Sequence, residues 1–231
     1  MNIDEFVLEV KKLGIDVTEE ELNKLDIYYN LLIDYNKKVN LTAITLRKDV
    51  YLKHFYDSLT IVKIINLDNV SLCDIGTGAG FPGIVLKIFF PSINLTLVDA
   101  LNKRINFLNE VVNTLKLDNV NLVHARAEEY GKLNREKFDV VTARALASFN
   151  VVLEFAIPIL KVGGYFVAMR GINDSLDSVN ALKTLNAKII QTIEFNLPIE
   201  NSQRTLIKIE KLNQTNVKYP RRFNEIKNNS L

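Results

Sequence analysis

Cysteine occurs once in this chain of 231 residues, at Cys73, and tryptophan not at all. A lone cysteine inside an apolar stretch excludes a disulfide framework and a cysteine-rich zinc site. Histidine is nearly as scarce: with only His54 and His124 available, the sequence argues against a metal centre. No apolar run approaches the roughly twenty residues of a membrane span. The opening residues, with Asp4, Glu5 and Glu9, lack the basic-then-apolar order of a secretory leader, so a cytoplasmic protein is expected. Disorder is not expected either, because 48% of the residues are hydrophobic, enough at this length for one substantial core with or without an appendage.

Glycine is sparse too, nine in all, yet Gly76, Gly78, Gly80 and Gly83 crowd into the stretch "CDIGTGAGFPG" at 73–83. An apolar run, 70–75, leads into it and 84–90 leaves it with helical spacing, which predicts strand, tight loop, helix. Glycines there permit close backbone approach, and the following helix start favours polar or anionic ligands. The loop therefore reads as one wall of a nucleotide pocket.

Net charge is only +2, but it is unevenly spread. Residues 1–35 are acidic, 64–200 nearly neutral, and both 36–63 and 201–231 are basic. Basic stretches flanking a neutral core attract phosphates and give salt-dependent affinity for nucleic acid, although a basic end is commonly just solvated.

The chain changes regime near residue 66. Before it the pattern is helical: Thr18 and Glu21 form a capping box, and Leu22, Leu25, Tyr29, Leu32 and Ile33 follow at three- and four-residue spacing. After it, apolar runs at 70–75, 95–100, 120–125, 138–142 and 165–169 alternate with helical patterns such as Ile105, Leu108, Val111, Val112 and Leu115. Such alternation predicts an α/β fold, a mainly parallel sheet with helices on both faces. Gly163 and Gly164 are expected to end a helix before the fifth strand. Two later runs, 188–195 and 205–209, predict an antiparallel pair closing one edge. The expected division is a helical extension over 1–66, a catalytic domain over 67–212 and a basic tail over 213–231.

In such a sheet ligands bind beyond the carboxyl ends of the strands where strand order reverses, and the first strand–helix loop is the usual place. Asp99, at the end of the second strand, is positioned to accept hydrogen bonds from ribose hydroxyls. The glycines also satisfy a dinucleotide fingerprint, Gly78-x-Gly80-x-x-Gly83. Two features point elsewhere: Asp74 precedes Gly76-x-Gly78-x-Gly80, and Pro82 sits where a dinucleotide enzyme continues its helix. S-adenosylmethionine, with a sulfonium and an ammonium group and no pyrophosphate, suits an acidic loop; pyrophosphate is repelled by one. Asp-x-Gly-x-Gly-x-Gly followed by an acidic second-strand end resembles class I, Rossmann-like S-adenosylmethionine-dependent methyltransferases.

The likeness narrows further over "NLTAI" at 40–44, "HFYDSL" at 54–59, "DIGTGAGFPGI" at 74–84, "LVDALNKRINFL" at 97–108, "RAEE" at 126–129, "FDVVTARA" at 138–145, "LKVGG" at 160–164 and "YPRR" at 219–222. Over nearly its whole length the chain resembles the glucose-inhibited division protein B family, bacterial small-subunit ribosomal RNA guanine-N7 methyltransferases. The resemblance implies a six- or seven-stranded sheet with a helical N-terminal extension, S-adenosylmethionine as methyl donor, and 16S ribosomal RNA in the small ribosomal subunit as substrate. A monomer is expected.

Cofactor contacts are expected from Asp74, Gly76, Gly78, Gly80, Phe81, Asp99 and Arg144, and, through the resemblance, from Ala127 and Glu128. Arg126 and Arg144, after the third and fourth strands, are candidates for positioning the substrate at the pocket mouth, with Lys103 and Arg170 behind them; the alternative is that either arginine pairs with a neighbouring carboxylate such as Glu128. Arg170 stands where the family usually has lysine, which keeps the charge and changes the hydrogen-bond geometry. Tyr219, Arg221 and Arg222 are expected to form an RNA-facing patch, the alternative being a frayed end. His54, Asp57 and Ser58 read as a join between extension and sheet.

The residues also limit the chemistry. Methylation of a pyrimidine at carbon 5 needs a nucleophilic cysteine, and Cys73 is expected to be buried. Adenine amino methylation commonly uses an Asp/Asn-Pro-Pro-aromatic turn, where this chain has Thr142-Ala143-Arg144-Ala145. Guanine N7 carries a lone pair and no proton, so its attack needs placement and no general base. A nicotinamide-dependent oxidoreductase using the same glycines, and a non-catalytic RNA-binding module with a vestigial pocket, remain as rival readings at this point.

Overall fold

The computed structural model describes residues 1–171 and 178–231. Two helices open the chain, α1 (Ile3–Lys12) and α2 (Glu19–Val39), each started by a capping box, Asn2 with Glu5 and Thr18 with Glu21. A broken helical run follows: α3 (Arg47–Val50), a π-helical turn (Tyr51–Tyr56), α4 (Asp57–Leu59) and a 3-10 turn (Thr60–Lys63). Widened π turns in an α-helix commonly mark functional positions, and this one carries His54. 

From there strands and helices alternate: β1 (Ser71–Ile75), α5 (Gly83–Phe89), β2 (Asn94–Asp99), α6 (Asn102–Thr114), β3 (Val120–His124), α7 (Ala127–Leu133), β4 (Phe138–Arg144), α8 (Phe149–Ala156), β5 (Leu160–Arg170), α9 (Val179–Leu185), β6 (Ala187–Asn196) and β7 (Gln203–Lys211), with α10 (Phe223–Asn228) near the end. The seven strands lie in the order β3-β2-β1-β4-β5-β7-β6. β7 alone runs antiparallel to its neighbours β5 and β6. Strand order reverses between β1 and β4, which puts the crevice of a doubly wound sheet beside the β1–α5 loop. This is the expected parallel sheet with one antiparallel edge.

Gly163 and Gly164 depart from expectation. They lie inside β5 and do not end a helix. Pairing with β4 jumps from Phe138↔Leu160 to Val140↔Tyr165, so the glycines occupy an irregularity where the strand bulges. The signal of paired glycines after an apolar run is shared by helix ends and strand bulges.

Each face of the sheet has its own core. On one, Phe6, Leu25, Tyr28 and Phe55 of the helical extension pack in a single cluster with Ile84, Leu97 and Leu108. The periodic apolar stripe of α2 is thus buried on the sheet's own helices, and Tyr28 reaches far enough to donate its hydroxyl to the Ala79 carbonyl in the glycine loop. On the other face, α8 and β5 close over Cys73, Ile75 and Val141, joined by Tyr219 and Ile226 from the last twenty residues. No helix among the described residues is long and apolar enough to cross a membrane.

The segment after β7 is therefore part of the fold, which corrects two expectations. Tyr219 is buried. Arg221 faces inward: its Nη2 and Nε donate to the two oxygens of Glu154, at 2.6 and 2.8 Å, and its backbone N–H adds a third bond to the same carboxylate. Glu154 is fully buried, so a guanidinium is the partner that makes an ionised carboxylate tolerable there. Of the proposed RNA-facing trio only Arg222 is exposed.

Arg221→Ala leaves Glu154 buried without its cation and is expected to lower unfolding free energy by about 3 kcal/mol. Denaturant titration checks this; Arg222→Ala, at an exposed position, should move the midpoint little by comparison.

Candidate active site

The glycine loop is shaped by one carboxylate. Asp74, at the penultimate position of β1, is completely buried; its Oδ2 accepts from the Thr77 hydroxyl at 2.7 Å and from the Gly83 N–H at 3.0 Å. A Cβ on Gly83 would stand 3.0 Å from that same oxygen and 2.4 Å from the Leu97 side chain, so only glycine lets α5 start this close to β1. Burial pushes the Asp74 carboxyl up to about 6, against the opposing hydrogen bonds of Thr77 and Gly83 and the attraction of Arg144. Its Oδ1 has no hydrogen-bond partner among the described residues. Direct contact between Asp74 and a ligand is therefore corrected: the side chain is sealed behind the loop and acts on the cleft through its charge.

Gly78 faces outward. Its φ is +62°, a left-handed conformation, and a Cβ there would meet nothing within 4 Å, which leaves the inner lip of the cleft open. Its N–H donates to Asp99 Oδ2 at 2.9 Å, while Asp99 Oδ1 accepts from the Leu101 N–H at 2.9 Å. Asp99 thus stands at the end of β2, beside the loop, as expected. Sequence reasoning missed its third partner, Arg104, whose Nη1 lies 3.1 Å from Oδ2. The motif does contain Arg104 one residue after Lys103, but nothing in that spacing says which cation turns back toward β2. Lys103 itself is exposed on the first turn of α6 and lines neither cleft described below.

The join between extension and sheet is built on His54 and Asp57. The His54 ring stacks on Phe81, centroids 4.3 Å apart, with Nε2 3.0 Å from Thr42 Oγ1 and Nδ1 3.2 Å from Arg144 Nη2. Nδ1 also lies 3.2 Å from the Lys53 carbonyl, which can only accept, whereas the guanidinium can only donate, so these contacts are met by either neutral tautomer. Burial, then the Arg144 charge, push the ring down to about 3. Both nitrogens are engaged and the ring stays neutral, so His54 is not a free general base. Thr42 belongs to "NLTAI": Asn36 Oδ1 accepts from the Leu41 and Thr42 N–H groups, and holds that turn against α2. 

Asp57 is buried between two arginines, Oδ2 3.2 Å from Arg144 Nη1 and Oδ1 3.1 Å from Arg204 Nε. Ser58 donates to the His54 carbonyl at 2.5 Å and stays within its own helix.

Two clefts meet here. One, about 340 Å³, lies along Gly76, Gly78 and Phe81 and reaches Arg104. The other, about 540 Å³, opens over the carboxyl ends of β4 and β5 and the start of β7, with Lys53, Asp57, Arg170, Phe195 and Arg204 in its wall. His54, Arg144 and Leu146 line both. Arg170 donates from Nη1 to the Ala147 carbonyl at 2.9 Å, and its guanidinium lies 5.8 Å from the Phe149 ring centre. Arg204 was missed because its place depends on antiparallel pairing, which sets Thr205 opposite Arg170. 

Arg126 stands two residues past β3, outside both clefts, with Nε 2.6 Å from Glu128 Oε1, the ion pair that was the alternative for it. Glu128 is buried, and Ala127 begins α7 next to it. Among the described residues there is no cluster of His, Cys, Asp or Glu able to hold a metal ion.

The donor set fits a nucleoside with a cationic group and not a pyrophosphate. An open glycine lip stands beside a buried, unneutralised Asp74 oxygen, and a carboxylate, Asp99, ends the next strand. 

Comparison with known proteins agrees with the fold and narrows it. A family model described as "GidB: rRNA small subunit methyltransferase G" matches residues 21–207. Ribosomal RNA small subunit methyltransferase G of Lysinibacillus sphaericus is 46% identical over 228 residues, 96% of each chain. That of Lactobacillus helveticus is 46% identical over 229 residues, 96% of this chain and 95% of its own. Among solved structures, a SAM-dependent methyltransferase from Aquifex aeolicus superposes with a TM-score of 0.55 at 17% identity, covering 71% of this chain and 93% of its own. M. jannaschii TYW2 in complex with AdoMet gives 0.55 at 14% identity, covering 68% and 75%.

His54 gives a pH prediction. Between about pH 3 and 6.5 the unfolded chain takes up a proton that the native ring refuses, so this residue makes stability rise with pH through that window. Asp74 acts in the opposite sense, since a carboxyl raised to about 6 makes stability fall as pH rises from about 4 to 6. The imidazole resonances of His54 should remain those of a neutral ring at pH 5 in nitrogen-detected NMR; a midpoint near 6.5 would contradict the assignment.

Proposed function

The chain belongs to the GidB family, rRNA small subunit methyltransferase G, and from that premise we propose that it transfers a methyl group to guanine N7 of 16S ribosomal RNA in the small ribosomal subunit. It is an S-adenosylmethionine-dependent methyltransferase. The single observation that carries the finer reading is the meeting of a glycine-lipped cleft and a cation-walled cavity at Arg144, at the switch point of the sheet.

S-adenosylmethionine supplies an electrophilic methyl on a sulfonium. Gly76, Gly78 and Phe81 form the wall along which it would lie, Gly80 shaping the loop behind them, and Asp99 would take its ribose hydroxyls, for which Arg104 must yield one carboxylate position. Ala127 and Glu128, where β3 gives way to α7, would flank the adenine. The Asp74 charge, unneutralised at Oδ1, favours a cation in that cleft.

On the other side of Arg144 the acceptor base enters the larger cavity. Arg144, Arg170 and Arg204 are donors suited to guanine O6 and to phosphate. None can remove a proton, His54 is engaged at both nitrogens, and Asp57 is held by two arginines. A reaction that needs no base is the one this cavity serves, and attack by the N7 lone pair is such a reaction. The family assignment leaves neither the oxidoreductase nor the vestigial-pocket reading any support. A ribosomal substrate favours a cytoplasmic enzyme.

Small subunits from a strain lacking the enzyme, incubated with methyl-labelled S-adenosylmethionine, should acquire label that mass mapping places on one guanine of 16S RNA, in a form cleaved by N7-specific chemistry. Label on another base, or on an exocyclic nitrogen, would overturn the reading. Asp99→Ala should weaken S-adenosylmethionine binding by about tenfold or more in calorimetric titration, because it removes a charged acceptor and frees the glycine lip. Unchanged affinity would remove Asp99 from the site.

A further inference from the structure

The last nineteen residues are strapped across α7 and α8. Arg135 donates to the Thr215 and Tyr219 carbonyls, Arg221 locks onto Glu154, Ile226 is fully buried, and Asn150 donates to the terminal Leu231 carbonyl at 2.7 Å. Gly131 lets the strap approach, since a Cβ there would stand 3.0 Å from Pro220 Cγ. The strap delivers Phe223, the first residue of α10, to the carboxyl end of β3, where its ring lies 4.1 Å from the Arg126 guanidinium carbon.

Arg126 is thereby held at two points. Its face rests on Phe223, and its Nε is fixed by Glu128, whose own side chain is only 6% exposed and so makes a stiff anchor. Its Nη groups have no acceptor among the described residues, and the side chain is 45% exposed. A guanidinium with one edge and one face immobilised and its terminal fork turned to solvent is pre-organised for an oxyanion arriving from outside. Arg126 lies on the same rim of the sheet as the two clefts yet lines neither, so the anion it meets belongs to a part of the substrate away from the reacting base. In an RNA that part is the phosphate backbone.

We propose that the C-terminal strap, through Phe223 as a positioning residue, holds Arg126 as a backbone-phosphate hook for the RNA substrate. This rests on the RNA-methyltransferase reading above. Phosphate contacts position a nucleic acid without selecting sequence, so the hook governs substrate capture and leaves methyl-donor binding alone.

The test is a double-mutant cycle on the full chain with unmethylated small ribosomal subunits as substrate: Phe223→Ala, Arg126→Lys, and both together. Each single change should raise KM for subunits about threefold, the worth of a partly exposed cation–aromatic contact. Because Phe223 acts through Arg126, the pair should be no worse than either alone, and Phe223→Tyr should restore the parent KM. S-adenosylmethionine Kd, by calorimetry, should shift less than twofold in Phe223→Ala, which leaves the Arg126–Glu128 pair in place. An unchanged KM in Phe223→Ala, a multiplicative rise to about ninefold in the pair, or a parallel loss of S-adenosylmethionine affinity in Phe223→Ala would each overturn the hook. Failure of the parent protein to methylate the subunits would instead strike the RNA reading on which it rests.

Discussion

One buried carboxylate, Asp57, holds the reaction chamber together. It comes from the helical extension, and its two oxygens reach Arg144 on β4 and Arg204 on β7, strands separated in the sheet by β5. Neither arginine could point into a shared cavity without a common counter-charge, because two guanidiniums facing one space repel. Asp57 is 4% exposed, so the attraction is weakly screened, while the cations keep further donors for the cavity. The extension is thus a wall of the site: its π turn presents His54 and Asp57 together, and its long helix sends Tyr28 into the glycine loop.

The two titratable groups deepest in the site are both held away from their ordinary behaviour, for opposite reasons. Asp74 is an anion made costly by burial and only partly compensated, held behind the glycine-lipped cleft. His54 is a base made inert by burial and by a neighbouring guanidinium. Together they define a chamber that favours a positive methyl donor and offers no group to accept a proton.

The far face of the sheet follows the same logic at lower stakes. Glu154 and Arg221 neutralise one another within a hydrophobic cluster, and the pair turns a basic-looking end of the chain into a structural strap. Arg126 differs from Arg221 in one respect: its fork is left outside. The two arginines thereby take different roles, decided by what lies beneath them.

Local chemistry sufficed for the elements and for the loop. Period-two and period-3.6 patterns, a capping box at Thr18, and glycines beside Asp74 are contained in short windows, and the parallel sheet with an antiparallel edge follows from their alternation. Asp99 could be found because a strand end is a sequence-local event. Where windows carried too little, the reading erred: Gly163 and Gly164 look alike at a helix end and in a bulge, and Tyr219 and Arg221 look like a solvated tail until Glu154, 67 residues away, is seen beneath them. Arg204 and Arg104 had no local signature, since a cation's role depends on which carboxylate it meets. By itself, then, the sequence determined the strands, the helices and the nucleotide loop, because those rest on backbone preferences and neighbours a few residues apart. Only the tertiary structure decided which of the charges face one another, because Coulomb attraction and burial act on distances through space that chain spacing does not encode.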